Sequence, residues 1–73
     1  MKAAVLVTTA PGKKDEVAKA VRELGVKEVL SVTGRVDVVV FLGGSREEIL
    51  GKVKKIFEIR DVETTETLWE VEG

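Results

Sequence analysis

The chain has no cysteine, histidine or tyrosine, and none of its 73 residues is asparagine or glutamine. Without cysteine there is no disulfide, and without cysteine or histidine a structural zinc site lacks its usual ligands. The same absences remove most catalytic constellations. A nucleophile would have to be Ser or Thr activated by Lys, or one carboxylate paired with another in a dry cleft. Ser31 and Ser45 are the only serines, and Ser45 is better explained as a helix cap. These features predict a protein that is not an enzyme and carries no cofactor or metal.

Long apolar runs are also missing. A run such as Val38 to Leu42, which no other exceeds in length, is far too short to cross a bilayer, and the N-terminus shows no signal-peptide pattern. A cytoplasmic location without a membrane partner is expected. Nor is there an excess of one charge: 12 basic against 13 acidic residues leave a net charge of −1, unlike the basic footprint of a nucleic-acid binder. Direct nucleic-acid contact is not expected. Abundant Lys and Glu beside absent Asn and Gln suggest a thermophilic source.

Hydrophobic residues make up 44% of the chain and charged residues 34%, a balance that suits a folded domain. At 73 residues it lies near the size at which burial barely offsets chain entropy. With disulfide and zinc excluded, self-association is the remaining source of support. No linker, low-complexity tract or charge block divides the sequence, so one domain spans residues 1–73.

Lys2 to Thr9 is β-branched and apolar, and Ala10-Pro11-Gly12 breaks it, which predicts a first strand. Val17, Ala20, Val21 and Leu24 then recur at helical spacing, with Gly25 placed to end the helix. Val26 to Thr33 and Val36 to Leu42 flank Gly34-Arg35 as a hairpin. Gly43-Gly44 stops that strand. Ser45-Arg46-Glu47-Glu48 fits a capping box for a second helix, whose buried face is Ile49, Val53, Ile56 and Phe57. Val62 to Val71 closes the chain as a fourth strand.

This βαββαβ order is the ferredoxin-like arrangement, an α+β fold with a four-stranded antiparallel sheet and two helices on one face. The first and third strands are the apolar ones, as central strands should be, and the second and fourth are mixed, as edges should be. Two helices cover one sheet face only, yet the central strands are apolar on both. A dimer through the open sheet faces is therefore expected.

Known uses of this fold are mostly excluded by residues. RNA-recognition domains stack bases on aromatic side chains of the first and third strands, where Phe41 is the sole aromatic. Heavy-metal carriers need cysteines in the first strand-to-helix turn. Pro11-Gly12-Lys13-Lys14 and Gly43-Gly44-Ser45 lie where backbone N–H groups could hold an anion, but neither matches a nucleotide fingerprint. Gly51, inside the second helix, costs roughly 1 kcal/mol relative to Ala; it is either tolerated there or marks a close contact. Trp69 reads as core or interface.

Two constellations remain. Gly34-Arg35-Val36-Asp37 puts a glycine and an acid at a turn, where Asp37 either satisfies turn backbone or receives an ammonium group. Thr64-Thr65-Glu66-Thr67 offers hydroxyls on an edge strand, where Thr is also simply a good strand former.

Val5-Leu6-Val7-Thr8-Thr9-Ala10-Pro11-Gly12-Lys13, then Val29 to Asp37, then Thr64-Thr65-Glu66-Thr67-Leu68, together resemble the regulatory (RAM) domain of the Lrp/AsnC feast/famine transcription regulators over essentially the whole chain. The resemblance implies a domain that pairs sheet to sheet into dimers, assembles dimers into rings and binds an amino-acid effector between them. It implies ligand-binding roles for Gly34, Asp37, Thr65 and Thr67. Family members frequently place an aromatic before the aspartate, where this chain has Val36. Full-length members carry an N-terminal helix-turn-helix, whereas this chain opens at the first strand, so it resembles a stand-alone form without a DNA-binding domain. Its expected partners are itself, an amino-acid effector and full-length Lrp/AsnC-type regulators. A purely structural assembly module, an ACT-type amino-acid sensor and a small dimeric α/β-barrel enzyme are the alternatives.

Overall fold

The computed structural model describes residues 1–71, which form β1 (Lys2–Thr9), α1 (Lys14–Glu23), β2 (Glu28–Ser31), β3 (Val38–Gly43), α2 (Arg46–Phe57) and β4 (Val62–Trp69). The four strands make one sheet in the order β2-β3-β1-β4, and every neighbouring pair is antiparallel. This is the expected ferredoxin-like βαββαβ fold. The apolar strands β1 and β3 are central. β2 and β4, whose mixed composition tolerates one wet side, form the edges.

Alternation along β1 shows how the core is built. Ala3, Val5, Val7 and Thr9 are buried, while the residues between them are less so. Val38 and Val40 of β3 join them on the same face. From the helix layer Val17, Ala18 and Val21 of α1 and Ile49 and Ile56 of α2 close over that face. Of the residues picked out by helical spacing, Val17, Val21, Ile49 and Ile56 are buried; Ala18, outside that spacing, is buried where Ala20 is only half-buried, and Phe57, read as buried, is exposed.

Helix ends follow local chemistry. Gly25 has a left-handed φ of 90°, which costs glycine little, and its N–H donates to the carbonyl of Arg22 at 2.9 Å, closing α1 as predicted. At α2 the capping box is complete: the Ser45 hydroxyl accepts from the Glu48 N–H at 3.1 Å, and Glu48 Oε1 accepts from the Ser45 N–H at 2.9 Å. The bond from the Ser45 backbone, and then that from its side chain, hold the Glu48 carboxyl below the usual carboxylate range.

Ser45→Ala is expected to cost about 1 kcal/mol of stability, read as a lower urea midpoint at neutral pH. Because the folded pKa of Glu48 is depressed, its contribution is present above the unfolded pKa and is lost as pH falls through the folded one. The gap between Ser45→Ala and the parent should therefore shrink in acid.

Strand boundaries differ from the sequence reading at three places. β2 covers four residues rather than Val26 to Thr33, because pairing with β3 ends at Ser31↔Val38 and Val26 is buried in the core before the strand begins. β3 starts at Val38 rather than Val36, since the Asp37 N–H turns toward β1 and donates to the Val7 carbonyl at 2.9 Å. β4 ends at Trp69 rather than Val71, as β1 begins at Lys2 and its carbonyl takes the last bond, from the Glu70 N–H. The domain read over 1–73 extends two residues beyond those described.

Candidate functional site

Directly opposed residues of neighbouring strands share a face, so the registers sort the side chains. On the face away from the helices one row runs Glu28, Phe41, Ala4, Leu68, and the next runs Leu30, Val39, Leu6, Glu66. Phe41 is 42% exposed, Leu30 53% and Leu68 48%. An apolar band thus crosses the whole sheet with glutamates at its ends, and among the described residues no element covers it.

The same face carries a hydroxyl pair. Thr8 and Thr64 oppose one another and share a hydrogen bond between their side chains. Thr65 and Thr67 oppose Val7 and Val5, so they lie on the other face, beside the core and on the side of α2. The composition of Thr64 to Thr67 shows hydroxyls but not which of them face outward. The strict alternation of Thr64, Glu66 and Leu68 is the signal that could have separated them.

Gly34 and Asp37 sit at the sheet end where β2 hands over to β3. Gly34 has φ of 146°, a conformation that side-chain-bearing residues rarely adopt. Asp37 is half-buried, although a turn residue is ordinarily expected to be exposed. Its Oδ2 accepts from the Thr9 N–H at 2.8 Å and lies 3.4 Å from the Thr9 hydroxyl. Thr9 itself is only 8% exposed. Of the two roles open to this carboxylate in sequence, satisfying backbone is therefore one that it performs. The recipient is the end of β1 rather than its own turn.

Beside this pair lies an open cleft of about 400 Å³ lined by Thr9, Ala10, Pro11, Gly12, Lys14, Asp15 and Asp37. The break after β1 and the start of α1 form one wall, and Asp37 forms the other. Lys14 Nζ donates to the Val32 carbonyl, fastening α1 to the β2–β3 connection. Thr9 is thus a site residue that sequence reasoning missed, and Lys14 one that it set aside with the Pro11 to Lys14 turn, because their contacts span 28 and 18 residues.

Thr65 and Thr67 do not line this cleft. β1 stands between Asp37 and β4, and two strand spacings put them roughly 10 Å apart. One chain therefore gathers Asp37 with the Pro11-Gly12 turn and leaves the two threonines on a neighbouring part of the same side of the sheet. Gly34 is likewise outside the cleft lining. No cluster of three or more metal-ligating side chains occurs among the described residues, and no helix there is long and apolar enough to cross a membrane.

No protein-family model matches the chain, and no curated protein matches it. Solved structures do. TTHA0845 from Thermus thermophilus is 33% identical, with a TM-score of 0.89, and the match covers 99% of this chain and 94% of that one. FFRP-DM1 is 27% identical with a TM-score of 0.81, over 96% of this chain and 97% of that one. AsnC of E. coli has a TM-score of 0.70 at 18% identity. That last likeness is one of fold, and it covers 99% of this chain but 51% of AsnC. The structural neighbours thus include Lrp/AsnC-family regulators.

Proposed function

We propose that this chain, which belongs to the same family as TTHA0845 of Thermus thermophilus, is an Lrp/AsnC-type regulatory domain. It dimerises through its open sheet face, assembles further, and binds a small amino-acid-like effector between subunits. It works by binding rather than catalysis and acts on transcription through full-length regulators of the same type, without touching DNA itself. The observation that carries the reading is the uncovered apolar band of Leu30, Val39, Phe41, Leu6 and Leu68 on a regulator-like fold.

The cleft supports the effector part. About 400 Å³ falls within the range of small-molecule sites, roughly 300–1,000 Å³. Asp37 spends Oδ2 on Thr9, and its Oδ1 accepts no hydrogen bond among the described residues, so it can receive an ammonium group. Lys14 and the exposed Gly12 turn supply positive charge and a backbone N–H on the opposite wall, which suits a carboxylate. Thr65 and Thr67, with Gly34, would complete the site from a neighbouring subunit.

Asp37→Asn separates the two roles, because an amide oxygen still accepts from Thr9 while the negative charge is gone. Losing a charge-assisted bond is worth about 1.5–3 kcal/mol, or roughly ten- to more than a hundredfold in affinity. Calorimetric titration of parent and Asp37→Asn with a panel of amino acids should show that loss in a folded protein. Equal binding to both would remove Asp37 from the site. An assembly module without ligand is the second reading, favoured by the structural bond from Thr9 to Asp37; a parent that binds no amino acid would establish it.

A further inference from the structure

Three charged side chains line the cleft beside Asp37, and two of them are acids. Asp37 stands just ahead of β3, and Lys14 and Asp15 come from the first turn of α1; the remaining lining is Thr9 and the Ala10-Pro11-Gly12 turn. Asp15 and Asp37 against Lys14 leave the lining with a formal charge of −1.

The charges around Asp15 are already engaged. Lys13 Nζ lies 3.6 Å from the Glu16 carboxylate, and Lys14 Nζ donates to the Val32 carbonyl. Asp37 gives its Oδ2 to the Thr9 N–H. Asp15 is exposed, and among the described residues its carboxylate has neither an ion pair nor a hydrogen bond. An acid in a first helical turn also favours the helix dipole, but Glu16 serves that end from outside the cleft. The dipole asks only for negative charge near the helix end, not for a second carboxylate in a cleft that already holds one.

A free amino acid brings an ammonium and a carboxylate. These match Asp37 on one wall, and Lys14 with the Gly12 N–H on the other. Asp15 is then the one charged group of the lining left over. A neutral ligand side chain leaves it without a partner, an acidic one meets like charge, and a cationic one cancels the excess of the lining.

We infer that Asp15 is the specificity-determining residue of this cleft and selects a basic amino acid, receiving the side-chain cation while Asp37 receives the α-ammonium. The inference rests on the cleft being the effector site, and it names the class of effector that the site takes.

Calorimetric titration with lysine, norleucine and glutamate tests it, because norleucine keeps the four-carbon stem of lysine without the cation. The parent should bind lysine roughly three- to tenfold more tightly than norleucine, an effect between that of an exposed ion pair and that of a charge-assisted hydrogen bond. Glutamate should bind least. Asp15→Asn should bring lysine down to the affinity of norleucine and leave norleucine unchanged, and Asp15→Lys should reverse the order of lysine and glutamate. Because Asp15 is exposed, both variants should keep the circular dichroism of the parent.

A lysine preference that survives Asp15→Asn would overturn the role of Asp15. A parent that binds all three equally, or favours norleucine or glutamate, would overturn the choice of a basic effector. Both results leave the amino-acid site standing, whereas a parent that binds no amino acid removes the effector site itself and this inference with it.

Discussion

With Phe41 replaced by glutamate, the chain should remain folded and lose its self-association. Phe41 lies in central strand β3, opposite Ala4 on one side and Glu28 on the other, on the face without helices. At 42% exposure it contributes little to the core, so the substitution removes no packing that the single chain needs. In a face-to-face dimer, however, both copies would bury the new carboxylate among Leu30, Val39 and Leu6, with Glu28 and Ala4 directly opposite it and Lys2 in the adjoining clefts at the end of the band. Burying an unpaired charge costs several kcal/mol per ion, which raises the dissociation constant by about a thousandfold or more. Sedimentation velocity at micromolar concentration reads this as a shift to the monomer. Unchanged sedimentation in a folded Phe41→Glu chain would place the interface elsewhere.

Ile56→Ala should be the most damaging single core change. Ile56 is fully buried and belongs to the core cluster, against which Val53, Ile59 and Val62 also pack. Removing a buried isoleucine side chain costs about 2–5 kcal/mol through lost transfer energy and the cavity left behind. A small domain has a total stability of about 5–15 kcal/mol. Urea unfolding at fixed protein concentration should show the midpoint collapse, the concentration being held because assembly stabilises the folded state by mass action. Phe57, the next residue, is more than half exposed, and Phe57→Ala should move the midpoint of the single domain little. Similar losses at both positions would mean that α2 packs by a different face.

The contrast between Ile56 and Phe57 also marks how far the sequence could be read. Helical spacing identified Ile49, Val53 and Ile56 as the buried stripe of α2, and they are its inward residues. It placed Phe57 with them, but one residue along a helix is a turn of about 100°, enough to carry a large apolar group to the surface. Ser45-x-x-Glu48 was legible because a capping box is local, involving residues three apart.

Element order and the central place of β1 and β3 were legible from which strands are apolar throughout. The limits of β2 and β4 were not, since a strand ends where its partner's backbone ends. Of the four site residues expected from the sequence, only Asp37 lines the cleft; Gly34, Thr65 and Thr67 do not. Asp37 was singled out, but its half-buried bond to Thr9 comes from β1 and β3 lying side by side, 28 residues apart in sequence. The facing of Thr64 against Thr65 and Thr67 depended on register with β1, which composition does not encode.

Native mass spectrometry of the full chain at micromolar concentration, with and without a mixture of amino acids, tests the regulatory reading most directly. An assembling effector-binding domain should appear as a complex larger than a dimer and gain the mass of one small ligand per subunit from the mixture. A monomer whose mass the amino acids leave unchanged would contradict both self-association through the apolar sheet face and the effector site at Asp37.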